Sequence, residues 1–134
     1  MYIYKTNIKL YHTDAANLIF YSNLFNLAFE CYEEFLGKVD FSISKILNEG
    51  KVLIPIVHAE ADYIKPMRLG DKIEIQMSLN SVGKSSYKLN YDFYNNQEKV
   101  AHVKTTHVLV DTSDHKPVKI PEKFLGSLKT LVKS

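Results

Sequence analysis

Tyr2, Tyr4, Thr6, Ile8 and Leu10 alternate with mostly polar residues. A period of two predicts a strand with one buried face over residues 2–10. Residues 11–21 break the alternation and predict a loop. The period then changes: Leu24, Phe25, Leu27, Ala28, Phe29, Cys31, Tyr32, Phe35 and Leu36 predict a helix. Its cap is Ser22 or Asn23, and Gly37 stops it after about Leu36. These apolar positions spread too widely for a one-sided stripe, so the helix is expected to be buried on most sides. A shorter helix is expected from Ser42 to Glu49, capped by Ser42 and closed by Gly50.

From 52 to 110 the pattern is that of strands. Residues 52–63 read as one long extended segment. Ile73, Ile75, Met77 and Leu79 mark a second strand over 73–82, and Tyr87, Leu89, Tyr91 and Phe93 a third over 87–94. A β-branched run predicts a fourth over 100–110. Gly70-Asp71, Gly83-Lys84 and Asn95-Asn96 are short hairpin signals, so the pairing is expected to be antiparallel. Residues 121–134 predict a short terminal helix with Pro121 in its first turn. A strand, a long buried helix and an antiparallel meander together predict an α+β fold with the sheet wrapped around one central helix. No repeat, low-complexity segment or linker divides the chain, so residues 1–134 are read as a single domain.

Composition narrows the function classes. A chain of 134 residues buries roughly 68% of its unfolded surface, enough to need no metal or disulfide. Hydrophobic residues make up 46% and charged residues 24%, which argues against disorder. A net charge of +2 is too small to suggest nucleic-acid binding. The lone Cys31 permits no internal disulfide, and its mid-helix apolar setting assigns it to packing. No signal peptide or membrane-spanning segment is read, so a soluble cytoplasmic protein is expected. No His, Cys and Asp cluster has zinc spacing, and no G-x-S-x-G elbow is present.

The candidate chemistry lies in residues 11–23. Asp14 sits in a polar loop directly before the apolar helix. One reading is helix capping or loop bracing, because Asp, Asn and Ser satisfy the orphan N–H groups of a helix start. The other is a working carboxylate. His12 lies two residues earlier; it is either an exposed strand-end histidine or a partner that points with Asp14 from extended chain. His102 and His107, an odd number apart, should face opposite sides of one strand. Gly83-Lys84-Ser85 imitates the end of a P-loop, but position 78 is Ser rather than Gly and a strand follows. The tail lysines Lys119, Lys123, Lys129 and Lys133 read as a solvated face.

Two blocks resemble a known family. His12-Thr13-Asp14-Ala15-Ala16-Asn17-Leu18-Ile19-Phe20-Tyr21-Ser22-Asn23 is similar to the D-T-D-A-x-G-V-V-Y-x-x-N motif of hotdog-fold acyl-CoA thioesterases of the 4-hydroxybenzoyl-CoA thioesterase group. Residues 55–63 with Pro66-Met67-Arg68-Leu69-Gly70-Asp71 resemble that group's long second strand and turn. Glu30-Cys31-Tyr32-Glu33-Glu34 resembles the branch that hydrolyses 1,4-dihydroxy-2-naphthoyl-CoA. The resemblance implies Asp14 as nucleophile or general base, and the Tyr21 backbone N–H polarising the thioester carbonyl. It also implies substrate contacts from Asn17, Phe20 and His58, with Lys84 and Ser85 meeting the CoA phosphates. A structural histidine and an ordinary hairpin tip are the plain alternatives for His58 and for Lys84 and Ser85. Lys65 and Arg68 are further candidates. His12 stands where the motif has its first Asp. Asn17 stands where it has Gly, a position favouring φ > 0, which asparagine tolerates best after glycine. The expected substrate is an acyl-CoA, with an aromatic acyl group more expected than a long straight chain. No cofactor is implied, CoA being part of the substrate. The resemblance further implies a homo-oligomer, a dimer with a continuous sheet or a tetramer, with the site at the subunit boundary. Rival functions are a hydroxyacyl-thioester dehydratase, whose H-F-P context is missing, and a catalytically silent acyl-CoA-binding domain.

Overall fold

The computed structural model describes residues 1–39 and 49–133. The helix expected over Ser42–Glu49 lies outside the described residues except for Glu49, which is helical. The elements in chain order are β1 (Tyr2–Asn7), a 3-10 turn (Leu10–His12), α1 (Asn23–Lys38), β2 (Val52–Leu53), β3 (Ile56–Tyr63), β4 (Lys72–Val82), β5 (Ser86–Asn95), β6 (Glu98–Val108), β7 (Val110–Asp111) and α2 (Glu122–Lys129). Five strands form one sheet in the order β1-β4-β5-β6-β3, and β2 pairs with β7 in a separate ribbon. Every pairing is antiparallel.

The period-two reading of the strands holds where it was strongest. Tyr87, Leu89, Tyr91 and Phe93 of β5 are buried, as are Ile73, Ile75 and Met77 of β4. The expected α+β arrangement, one long helix against an antiparallel sheet, is what forms: α1 packs against β1, β4 and β6.

The helix differs from expectation. Its buried residues are Leu24, Leu27, Ala28, Cys31, Tyr32, Phe35 and Leu36. That is a single i, i+3, i+4 stripe. Phe25 is half-buried and Phe29 is exposed, so one side of α1 is uncovered in the single chain. Gly37 does not stop α1, which continues to Lys38. Gly37 lacks the left-handed φ that a glycine stop requires.

Several boundaries move for identifiable reasons. β1 ends at Asn7, because Ile8 turns to exchange hydrogen bonds with Asp71 and Gly70. The segment expected over 52–63 splits at Pro55, which has no N–H for a ladder. The run over 100–110 breaks at Leu109, one residue past the last β5–β6 pair: its N–H still donates to the Ser85 carbonyl at 2.8 Å, but its carbonyl accepts the Val118 N–H at 2.9 Å. Gly70-Asp71 does not close a hairpin. β3 and β4 lie at separate places in the sheet, and residues 64–71 cross between them. Gly83-Lys84 does close the β4–β5 hairpin. The β5–β6 turn is centred one residue later than expected, on Asn96 (φ 50°) and Gln97 (φ 65°). Two positive φ values suit the tight turn between twisted strands. Pro121 precedes α2 rather than entering it.

Candidate active site

The chain reaches the site by a sequence of short hydrogen bonds. After the 3-10 turn, Thr13 pairs with Ile19 and Leu18 with Arg68. The Ile19 N–H donates to the Met67 carbonyl at 2.8 Å, and the Leu69 N–H to the Asn17 carbonyl at 3.0 Å. The loop 13–19 is thereby clamped onto 67–69. Asn17 has φ 61°. The backbone therefore takes the left-handed conformation expected at this position, and Asn is among the few residues that tolerate it.

Asp14 heads this loop and is exposed. Its Oδ1 accepts the N–H groups of Ala16 (2.8 Å) and Leu18 (3.3 Å). Its Oδ2 has no hydrogen-bond or ion-pair partner among the described residues. The carboxylate is oriented by one oxygen and open at the other. It braces its own loop and does not cap α1.

The start of α1 is also open. Ser22 occupies the N-cap position but its side chain makes no capping hydrogen bond. Among the described residues the Tyr21 N–H has no acceptor. The Tyr63 hydroxyl donates to the Tyr21 carbonyl, tying the end of β3 to the helix start. A free N–H at a helix start, with the helix dipole behind it, favours developing negative charge.

His12 is not an exposed histidine and does not pair with Asp14. It is 1% exposed, and its Nδ1 accepts the Lys9 N–H at 2.9 Å. Its Nε2 has no partner among the described residues. Burial lowers its pKa, which favours the neutral ring. The 3-10 turn, which the alternating pattern did not show, directs this side chain inward.

The remaining residues named from sequence divide into two groups. Phe20 and Tyr21 lie at the helix start with ring centroids 4.9 Å apart, both exposed. Tyr11, Tyr63 and Leu69 add exposed apolar surface. His58 instead sits on the outer face of β3 and contacts Glu60 at 3.3 Å. Lys84 and Ser85 lie in the β4–β5 hairpin, at the far end of β4 from the Asp14 loop. Eleven residues of β4 amount to roughly 35 Å. One chain therefore does not bring Lys84 to Asp14. An open groove of about 790 Å³ is lined by Lys5, Lys72, Tyr94 and Gln97, and Asp14 does not line it. No group of metal-binding residues occurs among the described residues.

Three further groups, Cys31, His102 and His107, are held within the fold. Cys31 is buried, and burial pushes its thiol up to about 12. His107 and His102 face opposite sides of β6 as expected. His107 lies in the core, stacked on Tyr87 at 4.8 Å, and His102 contacts Asp92 on the outer side at 2.8 Å. Burial lowers the His107 pKa to about 4. Asn23, offered by the sequence as a helix cap, is not the cap, and its side chain acts as a donor that sequence reading overlooked. Its Nδ2 donates to the carbonyls of His12 (2.9 Å) and Tyr11 (3.4 Å). The available signal was an Asn closing the loop motif just inside the helix, where a cap is no longer needed.

The sequence pattern of the thioesterase-like superfamily matches residues 9–128. The chain belongs to this superfamily. A 1,4-dihydroxy-2-naphthoyl-CoA hydrolase of Microcystis aeruginosa is 31% identical over 131 residues, covering 96% of this chain and 95% of the relative. A hydrolase of the same name from Nostoc punctiforme is 28% identical, covering 96% of this chain and 87% of its own. Among solved structures, a 1,4-dihydroxy-2-naphthoyl-CoA thioesterase from Synechocystis superposes with a TM-score of 0.92 at 21% identity. That match covers 97% of this chain and 96% of the other. At that identity it speaks to the fold alone, and the hotdog fold expected from the loop motif is borne out. This superfamily member has no helix among its described residues long and apolar enough to cross a membrane.

Proposed function

We propose that this protein hydrolyses an aromatic acyl-CoA thioester to the free acid and CoA, with Asp14 as the working carboxylate. The observation that carries the reading is that the short segment 14–21 holds two unspent groups. These are the open Oδ2 of Asp14 and the open N–H of Tyr21 at the start of α1. A water attacks the thioester carbon and gives its proton to Asp14; the carbonyl oxygen becomes an oxyanion held by the Tyr21 N–H. The C–S bond then breaks, and the proton passes to the departing CoA sulfur. In the nucleophilic alternative Asp14 Oδ2 attacks the carbon itself, CoA leaves, and water hydrolyses the resulting anhydride. Both routes need an oriented carboxylate with one free oxygen.

The aromatic preference is supported by the exposed rings of Phe20, Tyr21 and Tyr63 around the helix start, because flat acyl groups stack on aromatic walls. The names of the curated relatives point the same way. The specificity constant for benzoyl-type and dihydroxynaphthoyl-type CoA esters is expected to exceed that for long-chain esters by roughly tenfold, about 1.4 kcal/mol. Thiol release measured on aryl, short-chain and long-chain CoA esters tests this. Equal rates on all, or a palmitoyl preference, would remove the aromatic assignment. Absence of thiol release from every ester would favour a silent binding domain.

The working unit in this reading is a homo-oligomer. β3 pairs with β6 along one edge only, and Ile56, Val57 and Tyr63 are exposed. An unpaired strand edge invites another strand. Antiparallel pairing of β3 with β3 of a second copy would turn the Lys84 hairpin of one copy toward the Asp14 loop of the other. The CoA contacts expected from Lys84 and Ser85 then become reachable. Light scattering giving the mass of one chain at assay concentration would contradict this arrangement.

A further inference from the structure

The direction of the Tyr21 N–H depends on the peptide group that carries it, formed by the Phe20 carbonyl and the Tyr21 nitrogen. That group is fastened through Asn23. The Asn23 main-chain N–H donates to the Phe20 carbonyl at 2.9 Å. A hydrogen bond on a peptide carbonyl also strengthens the N–H of the same group as a donor. The Phe20 N–H donates to the His12 carbonyl at 2.8 Å. The Asn23 side chain reaches the same carbonyl at 2.9 Å and the Tyr11 carbonyl at 3.4 Å. Its Oδ1 accepts the Asn26 Nδ2 at 2.8 Å, which leaves the donor end of the amide facing the loop. Asn23 thus uses its amide in the opposite sense from a cap: it gives protons to the chain before the helix instead of accepting them from the helix. His12, which receives two of these bonds, lies two residues from Asp14.

We propose that Asn23 is a positioning residue of the hydrolysis: its main-chain N–H orients the peptide that carries the oxyanion donor, and its side chain locks the Asp14 loop to that peptide. The proposal rests on the roles assigned to Asp14 and Tyr21 above. The loop does not depend on Asn23 for its fold, since Ile19, Asn17 and Leu18 are independently bonded to 67–69. Removing the side-chain bonds should let the two catalytic groups drift apart by a fraction of an ångström without unfolding the loop. Misplacement on that scale costs much more in rate than in stability.

Asn23→Asp tests this. It keeps the shape and the acceptor, loses the donor, and places a negative charge where the helix dipole welcomes one. Asn23→Ala removes the donor without adding charge. In both variants kcat on an aryl-CoA should fall on the order of 30-fold, with KM within about threefold. Backbone amide exchange at Phe20 should quicken roughly tenfold, and the melting temperature should move by no more than about 2 °C. A kcat within about twofold of wild type, in an assay where Asp14→Asn has lost activity, would overturn the proposal. So would a kcat loss accompanied by unfolding, or unchanged Phe20 exchange in Asn23→Asp. If the wild-type protein releases thiol from no CoA ester, the reading of function fails first. The exchange measurement then still decides the clamp on its own.

Discussion

Two aspartates of this protein are placed in opposite ways. Asp92 of β5 is 3% exposed and ringed by partners: His102 Nδ1 and the Lys99 ammonium at 2.8 Å, and the Lys133 ammonium at 3.8 Å. Burial alone would raise its pKa, but the hydrogen bonds from Lys99 and His102 outweigh it and hold the carboxyl below its usual value. Asp14 is exposed and is held by backbone N–H groups on one oxygen, with no cation within ion-pair distance among the described residues. Burial and the ion pairs on both oxygens shut Asp92 off from a water or an acyl carbon, and its lowered pKa weakens it as a base. Asp92 therefore fastens the fold, including the segment that carries Lys133, while Asp14 keeps one oxygen open.

The comparison can be broken from the Asp92 side. Asp92→Asn should lower stability at pH 7 by about 1–2 kcal/mol, a modest figure because Lys99 and Lys133 return to water when released. Turnover should stay within about threefold of wild type. The contribution of Asp92 comes from a depressed folded pKa. It is present above the ordinary value of 3.8 and fades as pH falls through the lower folded value. Urea unfolding at neutral and acid pH should show the wild-type advantage shrinking below about pH 4. An advantage that persists undiminished there would contradict the ion-pair account.

A smaller effect is expected from the polar core. The Tyr32 and Tyr87 hydroxyls share a hydrogen bond of 2.5 Å beside His107. Tyr32→Phe strands the Tyr87 hydroxyl and should cost about 1 kcal/mol. That is a few degrees of melting temperature, with kcat unchanged. A large kcat loss in this variant would place the core tyrosines in the chemistry and blur the distinction between framework and site.

Much of this arrangement could be read from residues alone, for reasons that differ by element. The alternation of Tyr87, Leu89, Tyr91 and Phe93 decided which face of β5 is buried, because a strand offers only two faces. Asn17 could be placed in a left-handed turn because few residues accept φ > 0. His12 could not be placed: a 3-10 turn of three residues leaves no periodic trace, yet it decides whether the ring points inward. The exposed side of α1 was equally hidden, since Phe25 and Phe29 are apolar whether the cover is this chain or another. The separation of Asp14 from Lys84 follows from the clamp of loop 13–19 onto 67–69 at the near end of β4, a long-range contact that local sequence does not encode.

The central claim is that Asp14 supplies the reacting carboxylate. Turnover of Asp14→Asn on an aryl-CoA, compared with wild type and with Asp92→Asn, tests it most directly. The Asn side chain keeps the Oδ1 acceptor for Ala16 and Leu18, so the loop and the melting temperature should be preserved. We expect kcat to fall on the order of 100-fold or more, the scale of losing a base or nucleophile. Near-normal turnover in Asp14→Asn would contradict the account, and a large loss of stability would assign Asp14 to bracing the loop.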